Sequence, residues 1–534
     1  MTDMTRREFG SRLVAAAVGG LGVNAAKPIE ATGPKEHGTE RTSVSEAPQL
    51  RGSAAGKMIG IQVGAVSFVD EGVGPVLDRF QREASVDTLF IAAFSYGRGI
   101  GGRQVPGQPL PDHGKQEYDA GYHGGNFARV HPEYYRETSL KNIQASDYGN
   151  FDVLGDVIPE ARSRGMKVIC WYEDVFRPDL DGIDRLKEVT LSGSKATTLC
   201  FHNPEVQAFW RGLTEDFVRS YQLDGIMWGS ERQGPFGNAL GAGHGANIDP
   251  AGVTCFCSFC RAEGTSRGID VRRAVDGYTK LAALVRSTRQ GQRPPDGYFV
   301  SYWRLLVEYP EILAWEKLWN DGLKTTYASI YKLAKDISAK GAGASSGMVE
   351  QTPQAARRQQ GVGVGWHIWH NNSFSPFYRA EQDYAEFLNY SDFLKVVMYN
   401  NCGGPRLAGY IRSVSRSIFA DFTPEEVTSL TYRMQNYQEA SFAELPERGL
   451  SSDYVARETK RALAGVGGAV KIWPGIDIDI PTGQNEKKTQ PEDVRNAIRA
   501  ALDAGADGVI LSRKYSEMKL RNLQAAGDAV RARG

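Results

Sequence analysis

The stretch LDGIMWGSE, Leu223–Glu231, runs through an apolar centre and ends on a carboxylate. Its centre does not alternate polar with apolar residues. A strand here is therefore covered on both faces, as in a parallel sheet flanked by helices. Arg232-Gln233-Gly234-Pro235 follow at once, a sequence that ends a strand and forms a loop. Glu231 is thus expected at the rim of a sheet, not on a helix. That makes it the strongest single candidate for an acid with work to do.

Similar runs recur on both sides. MIGIQVGAVSFV (58–69), VDTLFIAAF (86–94) and MKVICWYED (166–174) precede it. VGVGWHIWH (362–370), FLKVVMYNN (393–401), VKIWPGIDIDI (470–480) and DGVILS (507–512) follow. Helical patterns lie between them. FDVLGDVIPEARSRG reads as a helix ending at Gly165, and NPEVQAFWRGLTEDFVRSYQ opens with Asn203 as cap and Pro204 at its first position. The middle of the chain is more helical, so a helical insertion is expected after strand 4, before a Gly/Ala/Ser/Gln-rich loop at 341–361. Eight strand-and-helix units close a barrel, so the expected fold class is an α/β (β/α)8 TIM barrel with long βα loops. An open doubly wound sheet would need a Gly-rich phosphate turn after an early strand. DEGVGP follows the first run and GVGVG enters a strand instead of leaving one, so neither supplies it.

Bulk composition narrows the partners. The 534 residues carry 63 Lys+Arg against 63 Asp+Glu, so no overall field recruits nucleic acid or an anionic membrane. Six cysteines are too few for a disulfide scaffold at this length. At the N-terminus, paired Arg6 and Arg7 and then Phe9 precede a Gly/Ala-rich apolar run from Leu13. This is the pattern of a twin-arginine export signal over residues 1–26, giving a periplasmic or secreted protein. Residues 27–56 read as a polar, disordered linker and 57–534 as the catalytic domain. No later run is long and apolar enough to span a membrane. A homo-oligomer is compatible with all of this.

The carboxyl ends of the strands form the working face of such a barrel. Trp171, Trp228, Trp366, Trp369 and Trp473, five of the nine tryptophans, fall on these strands. Flat rings with polar edges suit sugars, which stack CH-rich faces and need partners for their hydroxyls. Carboxylates among Asn, His and Arg are what glycoside cleavage requires: one protonated acid for the leaving oxygen, one carboxylate as nucleophile or base. Each residue also has a plainer reading. Tryptophans on barrel strands can be core, and Glu173 and Asp174 can form a solvated cluster with Arg177. His367 and His370 are three apart on a strand, so at most one faces inward.

TCFCSFCRAE, Thr254–Glu263, places Cys255, Cys257 and Cys260 within six residues. From spacing alone they are a metal site, a disulfide partnership with Cys200, or core thiols. A Glu closing strand 4 and then Cys-x-Cys-x-x-Cys resembles the family 42 β-galactosidases of the large retaining glycoside hydrolase clan. LCFHNPEVQAFW resembles that family's upstream segment, which donates a further zinc ligand. The likeness covers mainly 166–275. It implies a structural zinc on Cys200, Cys255, Cys257 and Cys260, no organic cofactor, and Glu231 as acid/base in a retaining mechanism. The chain departs from the family where Ser230, not Asn, precedes Glu231, and where 24 residues separate Glu231 from Cys255. VKIWPGIDIDIPTG also holds no Glu for the strand-7 nucleophile.

Asp477 is the expected substitute nucleophile or base. Trp171, Glu173, Trp228, Arg232, His367, Trp369, Asn400, Asp479 and Arg513 are expected to bind substrate, and HGGNFARVHPEYY (123–135) to form part of its wall. The expected function is an exported glycoside hydrolase acting on an oligo- or polysaccharide through two carboxylates. The alternative is a carbohydrate-binding barrel that has lost its chemistry. A redox-cofactor protein using the same export route would need a binding motif that the sequence lacks.

Overall fold

A computed structural model describes residues 56–96, 101–119, 121–175, 182–243, 249–343 and 361–533. The segments expected as export signal and linker lie outside these, apart from Gly56, as do Arg177 and 344–360 of the Gly-rich segment. The eight runs become eight parallel strands: β1 Met58–Gly64, β2 Thr88–Tyr96, β3 Lys167–Glu173, β4 Gly225–Gly229, β5 Gly363–Ile368, β6 Phe393–Val397, β7 Lys471–Asp477 and β8 Gly508–Ser512. Each pairs with the next, and β8 pairs back onto β1 through Met58↔Gly508 to Ile61↔Leu511, so the sheet closes. This is the (β/α)8 barrel. Gly124–Asn126 adds an antiparallel strand to the end of β2, and Lys187–Val189 with Lys195–Leu199 forms a separate hairpin after β3.

The helices begin where local chemistry starts them. The Asn203 side chain accepts from the Glu205 N–H at 3.0 Å, with Pro204 behind it, to open Pro204–Ser220. Asp152 caps Val153–Ser163 in the same way, and Gly165, at φ +73°, turns the chain out of it. Among the described residues, five helices between β4 and β5, from Pro235–Leu240 to the 33-residue Glu311–Gly343, belong to the insertion. The first run is shorter as a strand than its apolar composition suggested. The chain turns at Gly64 into the helix Ala65–Glu71, whose Ala65, Val66 and Phe68 are buried. An apolar run reports burial, and burial is shared by strand and helix.

The pleat decides which side chains reach the axis. Phe90, Ile169, Trp171, Met227, Phe393, Trp473 and Ile510 fill the barrel as one apolar cluster. Their alternates, among them Trp228 and Trp366, join the larger core between barrel and helices.

Candidate functional site

Above that apolar plug the interior turns polar. Gln62, Lys395 and Ser512 are completely buried, on β1, β6 and β8. The Lys395 Nζ donates to Gln62 Oε1 at 2.7 Å and to the Tyr399 hydroxyl at 2.8 Å, and lies 3.2 Å from His367 Nδ1. His367 in turn faces Glu231, with Nε2 2.9 Å from Oε1. Glycines make the room. A Cβ at Gly229 would lie 2.8 Å from the His367 Cβ, and one at Gly475 would lie 2.7 Å from the Lys395 Cε.

Two carboxyls meet at this point, Glu173 at the end of β3 and Glu231 just beyond β4. Their environments differ. Glu231 is exposed over 52% of its side chain and is held by the imidazole. Burial pushes the Glu173 carboxyl up to about 8, and repulsion from Glu231 adds to it against attraction from Lys395 and Arg513. Among the described residues no side chain donates a hydrogen bond to Glu173. Burial brings the Lys395 amine down to about 7, with Glu231 and Glu173 pulling the other way. Burial, and then the charge of Lys395, lowers His367 and keeps the imidazole neutral. A carboxyl that keeps its proton up to about 8 beside a second carboxyl can serve as a proton donor at neutral pH.

The other expected residues fall elsewhere. Asp477 is fully buried, and its carboxylate accepts the backbone N–H groups of Cys402 at 2.9 Å and Ile480 at 3.0 Å. It fastens two loops together. Asp479 accepts from the Lys519 N–H and from Asn522 Nδ2, which ties it to the final helix Leu520–Arg531. Burial moves its carboxyl up to about 7. Arg232 is not free for substrate. It pairs with Asp174 at 2.8 Å and Glu188 at 2.6 Å, and lies over the Phe201 ring. Trp228 sits outside the barrel against Trp210, Tyr327 and Trp366, because residues one step from the inward Met227 and Gly229 must face out.

Trp171 does point inward, but below the polar layer, with the Lys395 Nζ 5.9 Å from its ring centre. Trp369 is partly exposed and packs edge-on against Tyr378, whose hydroxyl feels the Glu231 charge. Arg513 forks onto Glu517 and lies close enough to Glu173 to attract it. Asn400 is buried, its side-chain oxygen without a partner among the described residues. Of the two histidines only His367 joins the carboxyls, and His370 bonds the Tyr454 hydroxyl behind them.

Lys395 and Gln62 escaped the sequence reading. The signal was present: each is the lone polar residue inside an apolar strand run. Such a residue, covered on both faces, has to meet partners inside the barrel.

The four cysteines come together from the end of the hairpin, from the loop before the helix Ser258–Ser266 and, for Cys260, from the first turn of that helix. The sulfurs of Cys200, Cys255, Cys257 and Cys260 lie within 4.8 Å of one another, all buried and none in a disulfide. Cys200 lies 3.5 Å from both Cys257 and Cys260. Four thiolates around one tetrahedral zinc stand roughly 3.8 Å apart, so this spacing fits the ion. The N–H groups of Val189 and Cys260 point at sulfurs of Cys255 and Cys257, as second-shell donors to a metal-bound thiolate do. Hydrogen bonds from Cys200 and its neighbours hold the Cys257 thiol well below the usual range. Beside the cluster, Glu188 accepts from Thr198, Thr254 and Trp319 and pairs with Arg232, the residue after Glu231.

A cavity of about 380 Å³ opens apart from these carboxyls, on the loop after β2, lined by Arg103, Asp119, Tyr122, His123 and Tyr148 among others. It holds none of the acid pair, so chemistry is assigned to the barrel mouth. The segment 123–135 contributes only His123 to that cavity, and its Gly124–Asn126 stitches onto β2.

No family model matches the chain, and no curated protein matches it. Solved structures do. The glycoside hydrolase domain of PgaB (BpsB) from Bordetella bronchiseptica is 14% identical with a TM-score of 0.43, over 89% of this chain and 98% of that one. The catalytic domain of a β-amylase from Paenibacillus polymyxa gives 12% and 0.41, over 89% and 95%. A chitinase from Chromobacterium violaceum gives 9% and 0.35, over 89% and 99%. Likeness this faint bears on neither substrate nor mechanism. Among the described residues, no helix is long and apolar enough to cross a membrane.

Proposed function

We propose that this chain is an exported glycoside hydrolase whose working carboxyls are Glu173 and Glu231. The observation that carries the reading is the pair itself: two carboxyls from adjacent strand ends, one half-buried and proton-holding, one exposed and bonded to an imidazole. One protonates the leaving glycosidic oxygen as the C–O bond breaks, the other attacks the anomeric carbon or takes a proton from the attacking water. A retaining, covalent course would require the two carboxyl groups to stand about 5–5.5 Å apart. Glu173 therefore takes the place that Asp477 held in the sequence reading, since Asp477 spends its oxygens on backbone. Trp369, partly exposed and backed by the buried Tyr378, supplies aromatic surface near Glu231 for a sugar ring. The four thiolates would hold a structural zinc, and the paired arginines support export by the twin-arginine route.

The experiment is turnover on a panel of aryl glycosides and oligosaccharides, product mass being read for wild type, Glu231→Gln and Glu173→Gln. Wild type should cleave at least one substrate. Each variant should lose about 10²–10⁴-fold on substrates with poor leaving groups. Tight binding of a glycan with no product from wild type would replace the reading with that of a carbohydrate-binding barrel.

A further inference from the structure

The Lys395–His367–Glu231 chain does more than fill the barrel. In its ammonium form, populated below about pH 7, Lys395 has three hydrogens and no lone pair, so it can only donate. Lys395 has three acceptors within reach, Gln62 Oε1, the Tyr399 hydroxyl and His367 Nδ1. The Gln62 oxygen is set as an acceptor twice over, because the Ser512 hydroxyl donates to it at 2.7 Å. His367 Nδ1 must then be the lone-pair nitrogen of a neutral ring. The ring proton sits on Nε2, the nitrogen 2.9 Å from Glu231 Oε1, and donates to that oxygen. A carboxyl that receives an N–H on one oxygen, with an ammonium one residue behind, is favoured as the anion. Glu173 receives no such donor among the described residues.

We propose that Lys395 is a positioning residue that fixes the His367 tautomer and so holds Glu231 as the carboxylate of the pair, leaving Glu173 as the proton donor. The role assignment rests on the glycoside hydrolase reading, and it reverses the acid role that the family resemblance gave Glu231. In the reaction the Glu173 proton passes to the leaving oxygen while its C–O bond breaks. Glu231 supplies the electron pair at the anomeric centre, directly or by taking a proton from water, and water is the only co-reactant.

Two measurements test it. The first needs no catalysis: long-range ¹H–¹⁵N correlation on imidazole-labelled wild type, with His367 assigned by its loss in His367→Asn. The ring should show a protonated Nε2 and a bare Nδ1. Lys395→Met, checked for folding by circular dichroism, should lose that single tautomer. A proton on Nδ1 in wild type would overturn the link whatever the variant does. The second compares a dinitrophenyl glycoside, whose leaving group needs no proton, with a poorly activated one. In kcat/KM, which reads the bond-breaking first step, Glu173→Gln should keep the dinitrophenyl substrate within about tenfold of wild type while losing about 10²–10⁴-fold on the poor one. Glu231→Gln should lose both. The reverse pattern would return the acid role to Glu231. Wild type inert toward every glycoside would instead sink the hydrolase reading, and with it the role assignment, leaving the tautomer measurement to decide the Lys395–His367 link alone.

Discussion

A carboxyl whose pKa rises on folding binds protons that the unfolded chain has released, and Glu173 is that case. Its folded value is about 8 against 4.5 in the open chain. Between those values the native state holds the extra proton, so the contribution of Glu173 to stability is full below about 4.5 and is lost as pH climbs to 8. The melting temperature of wild type should therefore fall across pH 5 to 8. Glu173→Gln, neutral throughout, should flatten that slope, and equal slopes in both proteins would show that Glu173 keeps an ordinary pKa. Lys395 works in the opposite sense. Its amine, down near 7 from 10.5, costs stability below 7 and recovers it as pH rises toward 10.5. Glu231 could be picked from its place at a strand end. That Glu173 shares its field while the Asp477 oxygens are taken by backbone could not, because those contacts arrive from distant loops.

At the scale of elements, the hairpin 187–199 and the loop before Ser258–Ser266 are joined by backbone hydrogen bonds, Leu191 N–H to the Val253 carbonyl and Phe256 N–H to that of Val189, and by the sulfur cluster. Arg232 carries that junction to the strand ends that bear Glu173 and Glu231, through Glu188 on one arm and Asp174 on the other. Metal analysis of the purified chain should find one zinc, and Cys200→Ser should find little or none. The variant should also melt earlier and turn over more slowly, since the loop bearing Glu231 loses its anchor. A metal-free wild type with unchanged melting after chelation would reduce the cysteines to core thiols. The Cys-x-Cys-x-x-Cys spacing was readable directly, whereas the anchoring role of Arg232 was not. As a cation next to a catalytic candidate it looked like a substrate ligand, and only the fold shows two buried carboxylates already claiming it.

For the whole molecule, closure of the sheet divides every strand between an axis and an outer layer, and the tryptophans divide with it. Trp228 is wholly buried against Trp210, Tyr327 and Trp366 on the outside. Trp228→Ala should cost about 3–5 kcal/mol of stability in denaturant titration and leave KM unaltered, since no substrate reaches that layer. A raised KM with unchanged stability would put the residue back in a cleft. The number of strands, their parallel direction and the helical insertion after β4 were determined by the sequence alone, because apolar runs, caps and turn residues act over a few positions of chain. So were the positions of Glu231 and of the four cysteines. What the tertiary structure decided was pairing: which alternate residues face the axis, that Lys395 meets Gln62 across the barrel, and which two carboxyls share a field. Those depend on the pleat and on closure between residues up to hundreds of positions apart, and no local pattern records them.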